Sequence, residues 1–449
     1  MFEKVENMSK NIYSKFLIGV LTLLCSGITV SAQAYGSYTP YSIFGVGDLY
    51  GEGTAYNRSM AGVGVAGRDN HFLNPVNPAA ITARDSLAFM ADVSIYQEDK
   101  IFHQGGMKSA SNITNVGDLL ISFPIYRSSA MMMGVMPFSS TGFGYISSYD
   151  DSSLTPEMGS ISYTGSGQGG LYQAFVAGAV TFWDKLSLGA EAIYIFGNNQ
   201  KTYYETISEA SYLGAKNGYD VILNGLTGKF GIQFEQKVGS GKLTAGATYR
   251  MSTKLNGSVD AYRYSTGSAA TDTLYHSFSN LAGYASPVSL GDELGVGLSY
   301  RTERWMAEID YARSDWTSSG MDKTDGFAGN LIPGTSSSIF TTNVSNAVRA
   351  GFEFIPNKSD IRYYFNRCAY RAGVFWKSDY FKLDGSDINS YGLTFGMTLP
   401  VFRWYNGLTL GVELGRRGTR QNNLISENYI KFNIGLSIFD IWFQQPKYD

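Results

Sequence analysis

The sequence predicts an all-β protein: a transmembrane antiparallel β-barrel of about 14 strands with an N-terminal hatch, or plug, in its lumen. Three observations lead to this prediction. Apolar residues alternate with small or polar residues over segments of roughly 9 to 14 residues, the length that a tilted strand needs in an outer membrane. The linkers between these segments alternate between short and long. The composition is rich in Gly, with 52 copies, and in aromatic residues, at 14%.

The composition also excludes several classes of protein. Charged residues reach only 16%, below the quarter that is typical of soluble domains. A net charge of -3 gives no basic field, so we expect no nucleic-acid partner. The hydrophobic content of 44% and mean hydropathy of -0.12 are too low for a bundle of membrane helices.

The N-terminus is typical of a secretory signal peptide. Lys15 precedes an apolar run over residues 16–25, and small residues follow at a suitable cleavage distance. We therefore assign residues 1–34 to a signal peptide. Translation can begin at Met1 or at Met8, and the sequence leaves this choice open.

Two-residue periodicity identifies the barrel strands. In residues 294–300 one face carries Leu, Val, Leu and Tyr, whereas the other carries Gly, Gly and Ser, as expected of a strand between two different media. An even number of strands fits a barrel that closes with both ends in the periplasm. The barrel is expected to span residues 86–443, followed by a short tail at 444–449. Candidate strands begin near Ser86, Gly117, Ala130, Gly170, Leu186, Leu226, Lys242, Leu290, Trp305, Asn346, Cys368, Ile388, Leu408 and Asn428.

The linkers and the tryptophans support this topology. Short linkers alternate with longer ones, as periplasmic turns alternate with external loops. One turn, residues 356–367, is longer than this pattern predicts. Tryptophans near strand ends are expected to form the interface girdles: Trp183, Trp305, Trp316, Trp376, Trp404 and Trp442. The long linkers are residues 102–116, 148–169, 198–220, 257–289, 317–345, 378–387 and 417–427.

Charged residues on the inward faces favour a membrane barrel over a water-soluble sandwich. We expect Glu308, Asp310, Arg349, Glu353 and Arg371 to line the lumen. Glu308 and Asp310 lie on one strand face and could act as an acid pair, but their interpretation as lumen charges facing Arg349 or Arg371 is favoured. We predict no catalytic residues and no enzymatic activity.

The segment between the signal peptide and the barrel, residues 35–85, does not alternate and is assigned to the hatch. Residues 62–67 match the pattern G-x-G-x-x-G, but they lack the strand and helix of a nucleotide-binding unit. We interpret these glycines as tight turns. The histidines, His71, His103 and His276, are far apart in the sequence, so we predict no metal site and no cofactor.

Two motifs in this segment resemble a known family. Residues 55–67, with Gly62 and Gly64, and the element Asn77-Pro78-Ala79 resemble the hatch of the FadL-type outer-membrane transporters of long-chain fatty acids and other hydrophobic compounds. The resemblance implies a channel for passive uptake of hydrophobic small molecules in the outer membrane of a Gram-negative cell.

The third strand contains a proline where a barrel strand should donate every backbone hydrogen bond. Pro137 cannot donate to the ladder, and Gly142 and Gly144 follow it. In the FadL-type family the third strand is kinked and opens a lateral window for the ligand. The resemblance thus implies a lateral opening at Pro137, Gly142 and Gly144, and the alternative is a simple β-bulge.

Two functions from different classes remain open. The first is uptake of a hydrophobic small molecule, with the outer-membrane lipid receiving the ligand. The second is a structural barrel subunit of a larger outer-membrane assembly or secretion complex, with protein partners in the outer membrane. In either case the barrel-assembly machinery is a partner during insertion. The sequence names neither the ligand nor the oligomeric state.

Overall fold

The computed structural model describes residues 37–85, 87–126, 128–149, 157–209, 211–266, 272–281, 287–335, 339–401 and 407–441. The predicted signal peptide, the C-terminal tail, Trp404 and Trp442 lie outside these ranges. One short helix, α1, spans Ala55–Arg58. Single 3-10 turns lie at Pro40–Ile43, Pro78–Thr82, Met321–Lys323, Tyr364–Arg367 and Gln421–Asn423. No helix among the described residues has the length and apolar character of a membrane span.

Alternating sequence becomes strand throughout the rest of the chain. The strands, in chain order, are β1 Asp48–Leu49, β2 Ala88–Gln104, β3 Met107–Tyr126, β4 Ser129–Ser140, β5 Phe143–Tyr149, β6 Ile161–Phe182, β7 Leu186–Ile207, β8 Gly214–Val238, β9 Gly241–Arg250, β10 Thr253–Lys254, β11 Asn256–Thr266, β12 Thr273–Asn280, β13 Ser289–Leu290, β14 Asp292–Arg301, β15 Trp305–Asp315, β16 Phe340–Thr342, β17 Val344–Phe354, β18 Ala369–Leu383, β19 Ser386–Pro400, β20 Gly407–Gly418 and β21 Ser426–Ile441.

The barrel closes through antiparallel pairing of fourteen of these strands. β2 pairs with β3 and then, in order, the ring continues through β4, β6, β7, β8, β9, β14, β15, β17, β18, β19, β20 and β21. β21 returns to β2 over the register Ala88↔Ile441 to His103↔Ser426. β5 continues the line of β4 along β6. The predicted strand number is therefore confirmed, and both ends of the barrel lie at one rim.

Three strands begin about ten residues earlier than predicted. β3, β6 and β8 start at Met107, Ile161 and Gly214, not near Gly117, Gly170 and Leu226. β7 shows the physical reason: its outward residues are apolar from Leu188 to Phe196 and polar beyond, at Asn198 and Gln200. The hairpin thus continues past the hydrocarbon band, where both faces are wet and the apolar alternation that identifies a strand is lost.

Several predicted long loops are therefore wrong. Residues 102–116 and 378–387 contain only two-residue turns, at Gly105–Gly106 and Asp384–Gly385. Residues 257–289 contain β12 and most of β11, and β11 pairs with the upper part of β8. The rim with the shorter turns carries both barrel ends and faces the periplasm, and the rim with the extended hairpins is the outer rim.

Candidate functional site in the barrel lumen

Inward-facing glycines let the N-terminal segment, residues 37–85, lie directly against the barrel wall. A Cβ on any of these glycines would come within 3.0 Å of an atom of that segment, closer than side chains pack in proteins. The alternation that predicted small lumen residues is thus explained by a close backbone approach. We call this set the inner glycine row: Gly189, Gly231, Gly246, Gly297, Gly351, Gly373, Gly396 and Gly435.

The carboxylates of β15 bind the backbone of the N-terminal segment. Asp310 Oδ2 accepts the N–H groups of Gly64 at 2.8 Å and Val65 at 3.0 Å. Glu308 Oε1 accepts the N–H of Ala66 at 2.9 Å. Asp310 is also the ladder neighbour of Arg349. The two acids thus bind a tight turn of backbone.

The remaining predicted lumen charges form a second anchor. Glu353 binds Arg371 at 2.8 Å and Arg301 at 3.1 Å, and Arg301 reaches Asp69 of the N-terminal segment at 2.9 Å. The Arg371 guanidinium stacks 4.4 Å from the ring centre of Tyr56. Burial alone would raise the pKa of Asp69, but the Arg301 guanidinium holds it below its usual value. The sequence predicted Glu353 and Arg371 but missed Arg301.

The predicted hatch residues lie at contacts with the wall or at tight turns. Asn77 donates from Nδ2 to the Val65 carbonyl at 2.7 Å and accepts the Ala79 N–H at 3.0 Å. Pro78 lies against Gly189 and Gly231 of the inner glycine row. Gly62 has a φ of +77° and follows α1 rather than preceding a helix. Gly64 donates its N–H to Asp310.

A lid loop, residues 316–335, closes the outer end of the lumen together with residues 38–50. Phe44 stacks on Phe340 at 5.4 Å, and Gly45 donates its N–H to the Phe327 carbonyl at 2.8 Å. Trp316 is 1% exposed, so its predicted place in an interface girdle is wrong. It packs against Tyr380 inside this cluster, because the chain turns inward after β15.

A buried lysine joins the lid loop to the N-terminal segment. Lys201 Nζ donates to the carbonyls of Ile43 and Gly326, each at 2.6 Å. Within the described part of the chain, no carboxylate lies within ion-pair distance of this ammonium group. A cation with only carbonyl partners is costly to bury, so this contact depends on both segments being in place.

The hydrogen-bond ladder of the wall is interrupted beside the predicted proline. β3 pairs with β4 from Tyr126↔Ser129 to Leu119↔Val135. Within the described ranges, no ladder joins residues 107–118 of β3 to β5. The pairing of β4 with β6 also shifts register between Pro137 and Ser139. A bulge and an interruption of the β3 ladder therefore occur together at this position.

The N-terminal segment covers the inner side of this interruption. β1 pairs with β4 through Asp48↔Ser140 and Leu49↔Ser139. The Gly142 carbonyl accepts the Thr39 N–H at 2.7 Å. The Gly144 carbonyl accepts the Tyr38 hydroxyl at 3.0 Å. Backbone groups that the kinked strand cannot offer to β3 are thus bound by residues 38–49.

A charged cavity of about 270 Å³ remains between these layers. Pro137 and Phe138 line one side of it. Its charged lining consists of seven acids and seven bases: Asp48, Glu52, Glu98, Glu293, Asp379, Glu413 and Glu427 with Arg58, Lys100, Arg250, Arg349, Lys377, Arg417 and Lys431. In the described ranges, no group of three or more His, Cys, Asp or Glu side chains could hold a metal ion.

Comparisons with known proteins agree with this architecture. A family model described as BamG matches residues 8–449. The structure is similar to a FadL homologue of Pseudomonas aeruginosa at 12% identity and a TM-score of 0.57, over 87% of this chain and 99% of that chain. It is also similar to the toluene transporter TodX of P. putida at 14% identity and a TM-score of 0.56, over 89% of this chain and 100% of that chain. The toluene transporter TbuX of Ralstonia pickettii matches at 13% identity and a TM-score of 0.55, over 87% and 98%. No curated protein matches the sequence.

The predicted resemblance is confirmed at the level of fold. The chain has the barrel fold of the FadL-type outer-membrane channels. Its outward faces carry a belt of exposed apolar side chains, for example Leu294, Val296 and Leu298 on β14. A closed barrel with such a belt is located in the outer membrane of a Gram-negative cell.

Proposed function

This chain belongs to the BamG family, and on that premise we propose that it is a structural barrel subunit of an outer-membrane assembly complex, associated with the barrel-assembly machinery. The family name points to that machinery. The observation that supports the proposal is the occupied lumen: residues 37–85 contact the barrel wall at several levels. A barrel that serves as a fixed subunit needs no passage through its interior.

The plug is bound by contacts that a moving hatch would have to break together. They include the hydrogen bonds to Glu308 and Asp310 and the ion pair between Asp69 and Arg301. They also include the backbone contacts along the inner glycine row. Above them, Phe340 of β16 stacks on Phe44, and Gly329 of the lid loop lies against the same ring. We therefore propose residues 35–85 as a resident plug.

The remaining cavity does not favour an apolar occupant. Its charged lining is balanced, and several members already pair with one another, as Arg417 does with Asp48 at 2.8 Å and Asp379 at 2.7 Å. An apolar molecule there would remove water from charged groups without replacing their hydrogen bonds. Pockets for hydrophobic ligands are mostly apolar with few polar groups.

Uptake of a hydrophobic small molecule is the second candidate, and the ladder interruption favours it. The charged cavity reaches Pro137, and a lateral exit at Pro137, Gly142 and Gly144 would require the displacement of residues 38–49, which bind this part of the wall. Lateral exit spares an apolar ligand roughly 0.8 kcal/mol per CH₂ group that crossing water would cost. We expect Pro137→Val with Gly142→Thr to reduce uptake of a labelled long-chain fatty acid if this candidate is right. Unchanged uptake with a folded barrel would contradict it.

Native mass spectrometry with lipid extraction separates the two functions. The protein is purified gently from outer membranes, without overexpression. A stoichiometric protein partner and no bound hydrophobe would support the assembly subunit. A solitary barrel that carries a fatty acid or another hydrophobe would contradict it and support uptake.

A further inference from the structure

One turn on the periplasmic rim is much longer than its neighbours. Residues 355–368 connect β17 to β18. Other turns of the same rim are only residues 183–185, 239–240 and 302–304. A hairpin of two barrel strands needs no more than such a tight turn, so the additional residues require another explanation.

This periplasmic turn is internally ordered. The Asp360 carboxylate accepts the N–H groups of Arg362 at 2.8 Å and Tyr363 at 2.9 Å, and the Asn366 side-chain amide at 2.6 Å. The Asn357 N–H binds the Asn366 carbonyl at 2.8 Å across the base of the turn. The hydrogen bond from the Asn366 side chain, followed by that from the Tyr363 N–H, lowers the pKa of Asp360. The hydrogen bonds of Asp360 therefore fix the conformation of the turn.

Further contacts attach the turn to the barrel. The Tyr364 hydroxyl donates to the Pro400 carbonyl at 2.9 Å, and the Tyr370 hydroxyl donates to the Phe365 carbonyl at 3.1 Å. Arg367 stacks over Tyr364 at 5.1 Å. The turn thus has a fixed shape and a fixed position on the rim.

The ordered turn presents apolar side chains to its surroundings. Ile361 is 92% exposed, Phe365 65% and Tyr363 60%. Phe354 and Tyr370 are the exposed aromatic residues of the adjacent strands nearest to the turn, and the turn lies beyond them at the periplasmic rim. Exposed apolar groups on a rigid support are typical of interaction sites.

The charged residues of the turn give this surface a positive charge. Lys358 and Arg362 are exposed, and within the described residues neither lies within ion-pair distance of a carboxylate. The turn contains three basic residues, Lys358, Arg362 and Arg367, against one carboxylate, Asp360, so residues 355–368 carry a net charge of +2. The surface is therefore positively charged around an apolar centre, a combination that favours a partner with carboxylates around an apolar recess.

We propose that Ile361, Tyr363 and Phe365, flanked by Lys358 and Arg362, form a docking surface for a periplasmic partner subunit with an acidic, apolar-centred face. The inference rests on the proposed function, because it assigns the periplasmic contact of the assembly complex. Binding to this surface has a low ordering cost, since hydrogen bonds already fix the turn.

The test compares two exposed apolar sets on opposite rims. The full chain with Ile361→Ser, Tyr363→Ser and Phe365→Ser is purified gently from outer membranes beside wild type. The matched control carries Met107→Ser, Leu274→Ser and Phe278→Ser, three exposed apolar residues of the outer hairpins. We expect the rim variant to lose at least about tenfold of the stoichiometric partner seen with wild type. The control should keep it, and all three barrels should show the same heat-modifiable folding on gels.

A second measurement distinguishes protein from lipid. A photoreactive benzoylphenylalanine at position 361 should crosslink to the same stoichiometric partner, and Arg362→Glu should weaken co-purification more at low salt than at high salt. Crosslinks to phospholipid instead of that partner would overturn the docking proposal, as would full partner recovery with the rim variant. A wild-type protein without any stoichiometric partner would overturn the proposed function itself.

Discussion

The inner glycine row makes a sharp prediction through Gly246→Ala. A Cβ at this position would press on the Val65 carbonyl, 2.8 Å from its carbon and 3.0 Å from Cα of Ala66. Ordinary contacts lie near 3.4 to 4 Å, so the backbone of the N-terminal segment must move by on the order of 1 Å. Gly178→Ala is the matched control, since nothing lies within 4 Å of a Cβ at Gly178.

The loss of local stability in Gly246→Ala follows from the hydrogen bonds that this backbone movement breaks. The Val65 carbonyl accepts from Asn77 at 2.7 Å and from Gln233 at 3.0 Å. The N–H groups of Val65 and the next residue bind Asp310 and Glu308 at 3.0 and 2.9 Å. Stretching all four beyond hydrogen-bond range would cost about 4 to 9 kcal/mol, with the carboxylate bonds contributing most.

Hydrogen–deuterium exchange of the peptide around residues 60–67 measures this loss. Because about 1.4 kcal/mol corresponds to a factor of ten, a loss of about 4 to 9 kcal/mol in Gly246→Ala should speed local exchange by about three to six orders of magnitude. Gly178→Ala should not speed this exchange, since no atom lies within 4 Å of a Cβ at that position. The reasoning is refuted if Gly246→Ala exchanges like wild type, or if both variants accelerate equally.

Two further predictions concern charges at the plug. Arg371→Met should reduce the free energy of unfolding by about 3 kcal/mol because it leaves the buried Glu353 with one partner fewer. Adding Glu353→Leu should restore most of this loss. Equal destabilisation of the single and double variants in thermal unfolding would contradict the prediction. Burial alone would raise the pKa of Asp48, but the Arg417 guanidinium lowers it below its usual value. The ionised Asp48 therefore stabilises the folded protein at every pH above the unfolded pKa of about 3.9. This stabilisation is lost as the pH falls through the lower folded pKa. Protease resistance of the plug should therefore hold down to about pH 4 and decline below it, and in Asp48→Asn the resistance should be weaker at neutral pH, with less of this acid-dependent decline.

Periodicity was sufficient to predict the barrel because each spanning strand separates two media. A shift of one residue would move every outward side chain of residues 294–300 into the lumen. The same argument explains the errors, since β3, β6 and β8 extend beyond the membrane, where no apolar face is required. A turn signal was present at Asp384–Gly385, a dipeptide that favours two-residue hairpins, and it should have shortened the loop predicted at 378–387.

The lumen was only partly predictable for a different reason. The charges Glu308, Asp310, Glu353 and Arg371 were identified from strand parity, which local sequence contains. Glu308 and Asp310 bind backbone N–H groups that lie 242 and 246 positions away. Glu353 binds Arg371 and Arg301 on other strands, 18 and 52 positions away, and local sequence does not contain these pairings. Trp316 shows the same limit, because an aromatic residue at a strand end fits a lipid interface or a lid equally well until the path of the next loop is known.

A barrel of fourteen strands is wide enough to leave an interior that side chains of the wall alone do not fill. This chain fills it with backbone, and the inner glycine row is the consequence, because a wall with Cβ atoms at those positions would exclude the N-terminal segment. Wall and plug are therefore matched to each other, and neither can change position without losing contacts on eight strands. In such a molecule the surfaces that remain free to act are the lipid-facing belt and the two rims. The periplasmic rim carries an ordered turn on which Ile361 is almost fully exposed. Closure of the barrel requires neither this turn nor its exposed apolar side chains, so a binding role is the explanation that remains.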